Sequence, residues 1–270
     1  MMSAVPSFPV PPVYFAVLAV MLITAGSVSL AARVPGSEAW TVSRRRRRSR
    51  EIGRREVDSG IDCAQRGEWR EALAAFDEAL ELDENNAAAW ADKAAILEVL
   101  GEWDGAVRCA ARAIELAPSL ASPHVTRAQC LGRMGRTSEA LEALEDILAR
   151  RPDAPTAWLN RGVLLARSEE LEEALECFER AVVCDPSYAL GWMNRGSALL
   201  ALSRFPEAAD SFARVLALRP GAAEALVGRA TALAAMGDAA GARRCLTTVL
   251  SRAPDHAKAG ELLEGLGGGR

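Results

Sequence analysis

A chain of 270 residues, half of them apolar and a quarter charged, is long enough to bury a sizeable core and too hydrophobic for a disordered chain. Its wealth of Ala, Leu, Glu and Arg, with few aromatic residues, favours helices over sheets. The net charge of -4 hides a division: residues 1–32 carry no charged side chain and residues 33–56 hold nine Arg against three Glu, leaving -10 for residues 57–270. An acidic body argues against nucleic acid as its main partner, while the basic stretch points to a membrane or another polyanion nearby.

The chain opens with a short Pro-rich tail, residues 1–12. Residues 13–32, VYFAVLAVMLITAGSVSLAA, then run without a charge for the length a helix needs to cross a bilayer. We read them as one transmembrane helix. A buried core helix would have no layer to pack against, but a cleaved secretory signal competes, since Ser29, Ala31 and Ala32 are small enough for a cleavage site. Against cleavage, no Lys or Arg precedes the apolar run and Arg33, Arg44 to Arg48, Arg50, Arg54 and Arg55 follow it. Positive charge stays on the cytoplasmic side, so the body is expected in the cytoplasm of a single-pass membrane protein. No Cys precedes Cys63 to carry a lipid anchor. The linker 33–52 holds Arg44, Arg45, Arg46, Arg47 and Arg48, which fix topology and could attract anionic head groups at about 1 kcal/mol each.

From Gly53 a pattern recurs every 34 residues without insertion, over 53–86, 87–120, 121–154, 155–188, 189–222 and 223–256. The twentieth place of every frame is Ala: Ala72, Ala106, Ala140, Ala174, Ala208 and Ala242. Pro118, Pro152, Pro186, Pro220 and Pro254 close five frames, where they end a helix and force an extended link. Gly67, Gly101, Gly135 and Gly237 fall mid-frame, where a left-handed turn between two helices needs them. Each frame therefore predicts helix, turn, helix, turn. Trp90, Trp158, Trp192 and Leu226 at the fourth place share a face with Leu97, Leu131, Leu165, Leu199 and Leu233 at the eleventh. In the second helix, Phe76, Phe178, Phe212, Leu144 and Leu246 follow the recurrent Ala by four, a second core face beside small residues that let helices approach.

Trp at four, Gly or Ala at eight, Ala at twenty, and Pro at thirty-two resemble the tetratricopeptide repeat, over Gly53 to His256. That resemblance implies an all-α, right-handed superhelix of about six helix-turn-helix repeats, whose first helices line a concave groove for proteins or peptides. The first frame departs, with Glu56, Ser59 and Cys63 at its start, so its opening helix departs from the pattern or serves as a cap. Residues 257–270 read as a capping helix with a Gly-rich tail.

Helical geometry independently places the second, sixth, ninth and thirteenth positions opposite the Trp–Leu face. They supply Asp92, Ser122, Thr126, Gln129, Arg133, Thr156, Asn160, Arg167, Asn194, Ser197, Glu224 and Thr231 as candidate partner-binding residues. Asn160 and Asn194, equivalent in adjacent frames, could hydrogen-bond an extended ligand's backbone, and Arg133 and Arg167 favour an acidic segment. The carboxylate clamp of the family's chaperone-binding members has Ala91, Val125 and Ala95 at its matching places, so that specialisation is not expected. A second stripe, Lys93, Arg127, Arg161, Arg195 and Arg229 at the seventh place, falls beside the buried face, with stems packed and charged heads reaching toward acidic neighbours.

Chemistry finds little to use. Six Cys without a C-x-x-C pair, and only His124 and His256 to join them, give no zinc site. Cys109, Cys177 and Cys245 lie two frames apart, and Cys177 and Cys184 two turns apart on one helix, too far to bridge. No phosphate-cradling Gly loop, H-E-x-x-H or G-x-S-x-G occurs, so neither an enzyme nor a cofactor is expected.

Overall fold

The computed structural model describes residues 37–266. The apolar stretch 13–32, the tail 1–12, the side chains of Arg44 to Arg48 and the final residues 267–270 lie outside the described residues. Among those described, no helix is long and apolar enough to cross a membrane. Contacts divide the chain into residues 1–47 and 48–270, and the packing below concerns the second unit.

The described residues form thirteen helices and no strand. A long helix, α1 (Ser37–Gln65), leads into α2 (Trp69–Leu82). Then come α3 (Ala87–Val99), α4 (Trp103–Leu116), α5 (Ala121–Arg133), α6 (Thr137–Arg150), α7 (Pro155–Arg167) and α8 (Leu171–Cys184). The array ends with α9 (Ala189–Ala201), α10 (Phe205–Leu218), α11 (Ala223–Ala235), α12 (Ala239–Arg252) and α13 (Ala257–Gly265). First helices start at Ala87 and every 34 residues thereafter, as do second helices from Trp69.

α1 begins at Ser37, inside the stretch 33–52 that the sequence reading made a linker. Between Gly36 and Gly53 there is neither Pro nor Gly to stop a helix, and Arg and Glu are good helix formers. Gly53 does not break it because it sits buried against the Ala79 carbonyl and Leu82 of α2.

Within each repeat the turn is the same. The fifteenth place has positive φ: Gly67 (78°), Gly101 (78°), Gly135 (77°) and Gly237 (84°), but also Glu169 (66°) and Ser203 (59°). The next N–H then donates back five residues, as from Glu68 to the Cys63 carbonyl (2.9 Å), Glu170 to Leu165 (3.0 Å) and Arg204 to Leu199 (2.8 Å). This closes the carbonyls left open at a helix C-terminus.

Between repeats, the fourth-place side chain ties the link. The indole N–H of Trp90, Trp158 and Trp192 donates to the carbonyl six residues earlier, of Glu84 (2.9 Å), Pro152 (2.9 Å) and Pro186 (3.0 Å). His124 occupies the same place in α5, buried, with Nε2 3.1 Å from the Pro118 carbonyl and Nδ1 3.2 Å from that of Ala143. It does the work of the tryptophan.

The core is a continuous seam along the stack. All six twentieth-place alanines are fully buried, and Phe76, Leu144, Phe178, Phe212 and Leu246 lie beside them with at most 2 % exposure. The aromatic rings fit because a glycine faces them: a Cβ on Gly162 would stand 2.6 Å from the Phe178 ring, and one on Gly196 2.8 Å from that of Phe212.

Among the described residues, helices touch only the next helix or the next but one. First helices contact first helices of adjacent repeats (α3 with α5, α5 with α7, α7 with α9, α9 with α11, α11 with α13), whereas among the described residues no second helix contacts another second helix. A stack with one layer spaced more closely than the other bends toward the closer layer. The first helices therefore line the concave side.

The seventh-place stripe runs between the layers. Lys93 pairs with Asp77, Arg161 with Glu145 (3.4 Å) and Arg195 with Glu179 (2.9 Å), each acid being sixteen residues back in the preceding repeat. Sixteen residues before Arg127 and Arg229 stand Ala111 and Ala213, and the buried Nε of both, like that of Arg161, has no hydrogen-bond partner among the described residues.

Candidate partner-binding groove

On a free helix the second, sixth, ninth and thirteenth places share a face, but in the stack the neighbouring first helices cover part of it. Ser122, Thr156 and Glu224 at the second place, Ser197 at the ninth, and Arg133 and Arg167 at the thirteenth are exposed. The sixth place is drawn inward: Asp92, Asn160 and Asn194 are half-buried and Thr126 is buried. Gln129 and Thr231 at the ninth place are also half-buried. Thr126 is thus part of the helix seam rather than the open surface.

Several polar side chains turn back on their own helix. The amide N–H of Asn160 donates to the Thr156 carbonyl and that of Asn194 to the Leu190 carbonyl, both at 2.8 Å. The hydroxyls of Ser197 and Thr231 donate to Met193 (3.1 Å) and Val227 (3.0 Å). The Asn160 amide oxygen accepts from the Gln129 amide (2.9 Å), whereas that of Asn194 accepts from no donor among the described residues and is available to a ligand's N–H.

Four of the sequence candidates meet at one spot. Gln129, Arg133, Asn160 and Arg167, with Ala128, Val163 and Leu164, line a pocket of about 110 Å³ between α5 and α7. Gly132 makes the close approach possible, because a Cβ there would come within 2.6 Å of Leu164. Among the described residues neither Arg133 nor Arg167 forms an ion pair.

The Gln129 amide stands between two acceptors. One orientation donates to Asn160 Oδ1 at 2.9 Å, the other to both carboxylate oxygens of Glu98 at 3.2 Å. Glu98, at the twelfth place of α3, lies outside the positions a helical wheel selects. Burial pushes its pKa above the ordinary carboxylate range, with Arg133 pulling the other way. A group whose pKa is raised by folding contributes stability below its unfolded pKa and loses it as pH rises through the folded one. Glu98→Gln should therefore raise the melting temperature at neutral pH and give no gain in acid below the usual glutamate pKa. Parallel thermal melts at the two pH values check this, and an equal gain at both would refute the assignment.

The apolar part of the groove was also not legible in the polar selection. Val99 of α3 and Leu190 of α9 are exposed by 60 % and 50 %. At the thirteenth place the successive first helices present Val99, Arg133, Arg167, Ala201 and Ala235, all exposed. The concave face is cationic in its middle and apolar on both sides.

On the second-helix side two open hollows, of about 610 and 500 Å³, lie over Trp192 and Trp158. Their arginines already have partners: Arg195 bonds Glu179 (2.9 Å) and the Ser211 hydroxyl (2.7 Å), and Arg180 and Arg214 stack on the indoles at 5.5 and 5.7 Å. The six cysteines are free thiols. Burial pushes Cys109, Cys177 and Cys245 up and Cys130 up to about 12, where a thiol is a poor nucleophile at neutral pH.

Two sequence models of the tetratricopeptide repeat match the chain, one over residues 125–189 and the other over 64–129 and 199–266. No curated protein matches it in sequence. Among solved structures, PilW, a type IV pilus biogenesis factor, is similar with TM-score 0.70 and 20% identity, covering 78% of this chain and 98% of its own. PilF of Pseudomonas aeruginosa gives 0.69 and 18%, covering 82% and 99%. YrrB, described as having an unusual peptide-binding site, gives 0.57 and 23%, covering 70% and 98%. At such identities the likeness is one of fold.

Proposed function

The chain belongs to the tetratricopeptide repeat family, and on that premise we propose that it is a membrane-tethered scaffold that binds a partner protein or peptide along the concave face of its repeats. The observation that carries this reading is the contact of first helix with first helix, which leaves one long hollow lined by exposed Val99, Arg133, Arg167 and Leu190. Residues 13–32 would hold the chain in the bilayer with the repeats in the cytoplasm, and Arg44 to Arg48 would lie at the head groups. The YrrB likeness lends support, since a similar stack there carries a peptide site. With the buried thiols of Cys109, Cys130, Cys177 and Cys245 raised in pKa and His124 engaged by backbone carbonyls, the scaffold has no catalytic role in this reading.

Photo-crosslinking from exposed position 197 in living cells should capture a defined partner chain. Asn160→Ala combined with Asn194→Ala should weaken that capture severalfold, through loss of two polar side chains along the groove, and leave the melting temperature nearly unchanged. Undiminished capture by the double variant would remove the groove from the proposal.

A second reading places the repeats on the outer side of the membrane as an assembly factor, after cleavage or reversed topology. The likeness to a pilus biogenesis factor favours it. A cysteine introduced at exposed Ser197 distinguishes the two: an impermeant thiol reagent labels it in intact cells only if the repeats face outward.

A further inference from the structure

We propose that the C-terminal ends of α5 and α7 form an anchor for carboxylates of the bound partner, gripped by Arg133 and Arg167 and flanked by apolar contacts at Val99 and Ala201. The proposal rests on the groove reading above and specifies what the groove selects.

Two guanidinium groups carry the anchor. Lys93, Arg161, Arg195 and Arg204 each have an acid beside them, whereas Arg133 and Arg167 are exposed, form no ion pair among the described residues and line one pocket together. A pocket of about 110 Å³ admits a carboxylate and little more. Its lining of Gln129 and Asn160 amides can reorient about the incoming group, and Val163 and Leu164 exclude water from one side. Glu98 sets a limit on the opposite flank: its carboxyl, beside Gln129, repels a second anion placed toward α3, so the ligand's charge belongs between the two arginines.

The spacing then fixes the ligand's pattern. Packed helices stand about 8 to 10 Å apart, and an extended chain advances about 3.3 Å per residue. Neighbouring thirteenth-place side chains are thus roughly three residues of ligand apart. Along Val99, Arg133, Arg167 and Ala201 a crossing segment meets apolar, cationic, cationic and apolar contacts in turn. The matching segment carries one or two carboxylates about three residues apart between apolar residues. A free C-terminus presents the same group as an Asp or Glu side chain.

The test is a random decapeptide library offered to the purified full chain in two forms, one with its C-terminus free and one fused at both ends. Peptides retained by the wild type should be enriched in Asp or Glu with apolar neighbours three residues away, or, if the chain end supplies the carboxylate, be retained only in the free form. Arg133→Gln with Arg167→Gln should bind the selected peptides about tenfold more weakly, and Arg133→Glu with Arg167→Glu should select basic peptides instead. Both positions are exposed, so unchanged melting of the variants separates lost recognition from lost fold. If the wild type and the glutamine variant retain the same peptides without acidic bias, the anchor is overturned and the groove reading stands. If neither retains any peptide, both fall.

Discussion

Replacing Phe178 by alanine should lower the free energy of unfolding by about 3–5 kcal/mol, as large a loss as any single truncation in the array should give. The ring is 2 % exposed and lies in the core between Leu165, Ala174, Leu175 and Leu199. Deleting it removes both the transfer energy of a large apolar group and the contacts of its surroundings. The walls cannot close over the gap, because the turn at Glu169 and the Trp158 link to the Pro152 carbonyl hold the flanking helices at fixed separations. Chemical denaturation followed by far-ultraviolet circular dichroism measures the effect. In a stack whose units contact only their neighbours, a weakened central repeat should also split the transition in two. A single transition displaced by less than about 1 kcal/mol would contradict the role given to the ring.

The second large effect comes from adding atoms at the same contact. Gly162→Val should cost about 1–3 kcal/mol or more by overpacking. A Cβ at that position meets the Phe178 ring at 2.6 and 2.8 Å and the Ala174 carbonyl oxygen at 3.0 Å. The ring has no free volume to retreat into, and the carbonyl belongs to the backbone of α8. Gly260 in α13 supplies the control, since a Cβ there meets nothing within 4 Å; Gly260→Ala should be neutral or stabilising by about 0.5–1 kcal/mol, as Gly is a poor helix interior residue. Equal melting of the two variants would show that crowding at Phe178 is not what selects glycine.

Most of the fold can be read from the 34-residue spacing, because each requirement falls on a residue type that advertises it. Pro ends helices, Gly tolerates positive φ, and Ala permits close helix packing. Where the requirement is met by an unexpected residue, the sequence is silent. Glu169 and Ser203 adopt the left-handed turn because the flanking helices and the backbone bond across it impose that geometry regardless of side chain. His124 takes the place of tryptophan beside the inter-repeat carbonyl, with a ring nitrogen 3.1 Å from it, a likeness of position that the two names conceal. The start of α1 at Ser37 was hidden by reading an arginine run as charge alone.

The groove was legible more coarsely. A wheel drawn on one helix found Gln129, Arg133, Asn160 and Arg167, which do converge. It also chose Thr126, which the adjacent first helices bury, and passed over Glu98, Val99 and Leu190. A helical wheel knows the angle of a side chain but not how close the next helix comes. That distance is set in part by single residues such as Gly132, whose missing side chain admits Leu164.

The restriction of contacts to the next helix and the next but one has a mechanical consequence. With no brace between distant repeats among the described residues and the same turn inside every repeat, curvature has no single pivot on which to concentrate. A guest segment slightly too long or too short for the resting hollow is met by a small tilt at each joint. The array therefore behaves as a spring of nearly equal coils, and its grip can conform along its length while each local seat, including the arginine pair, keeps its shape.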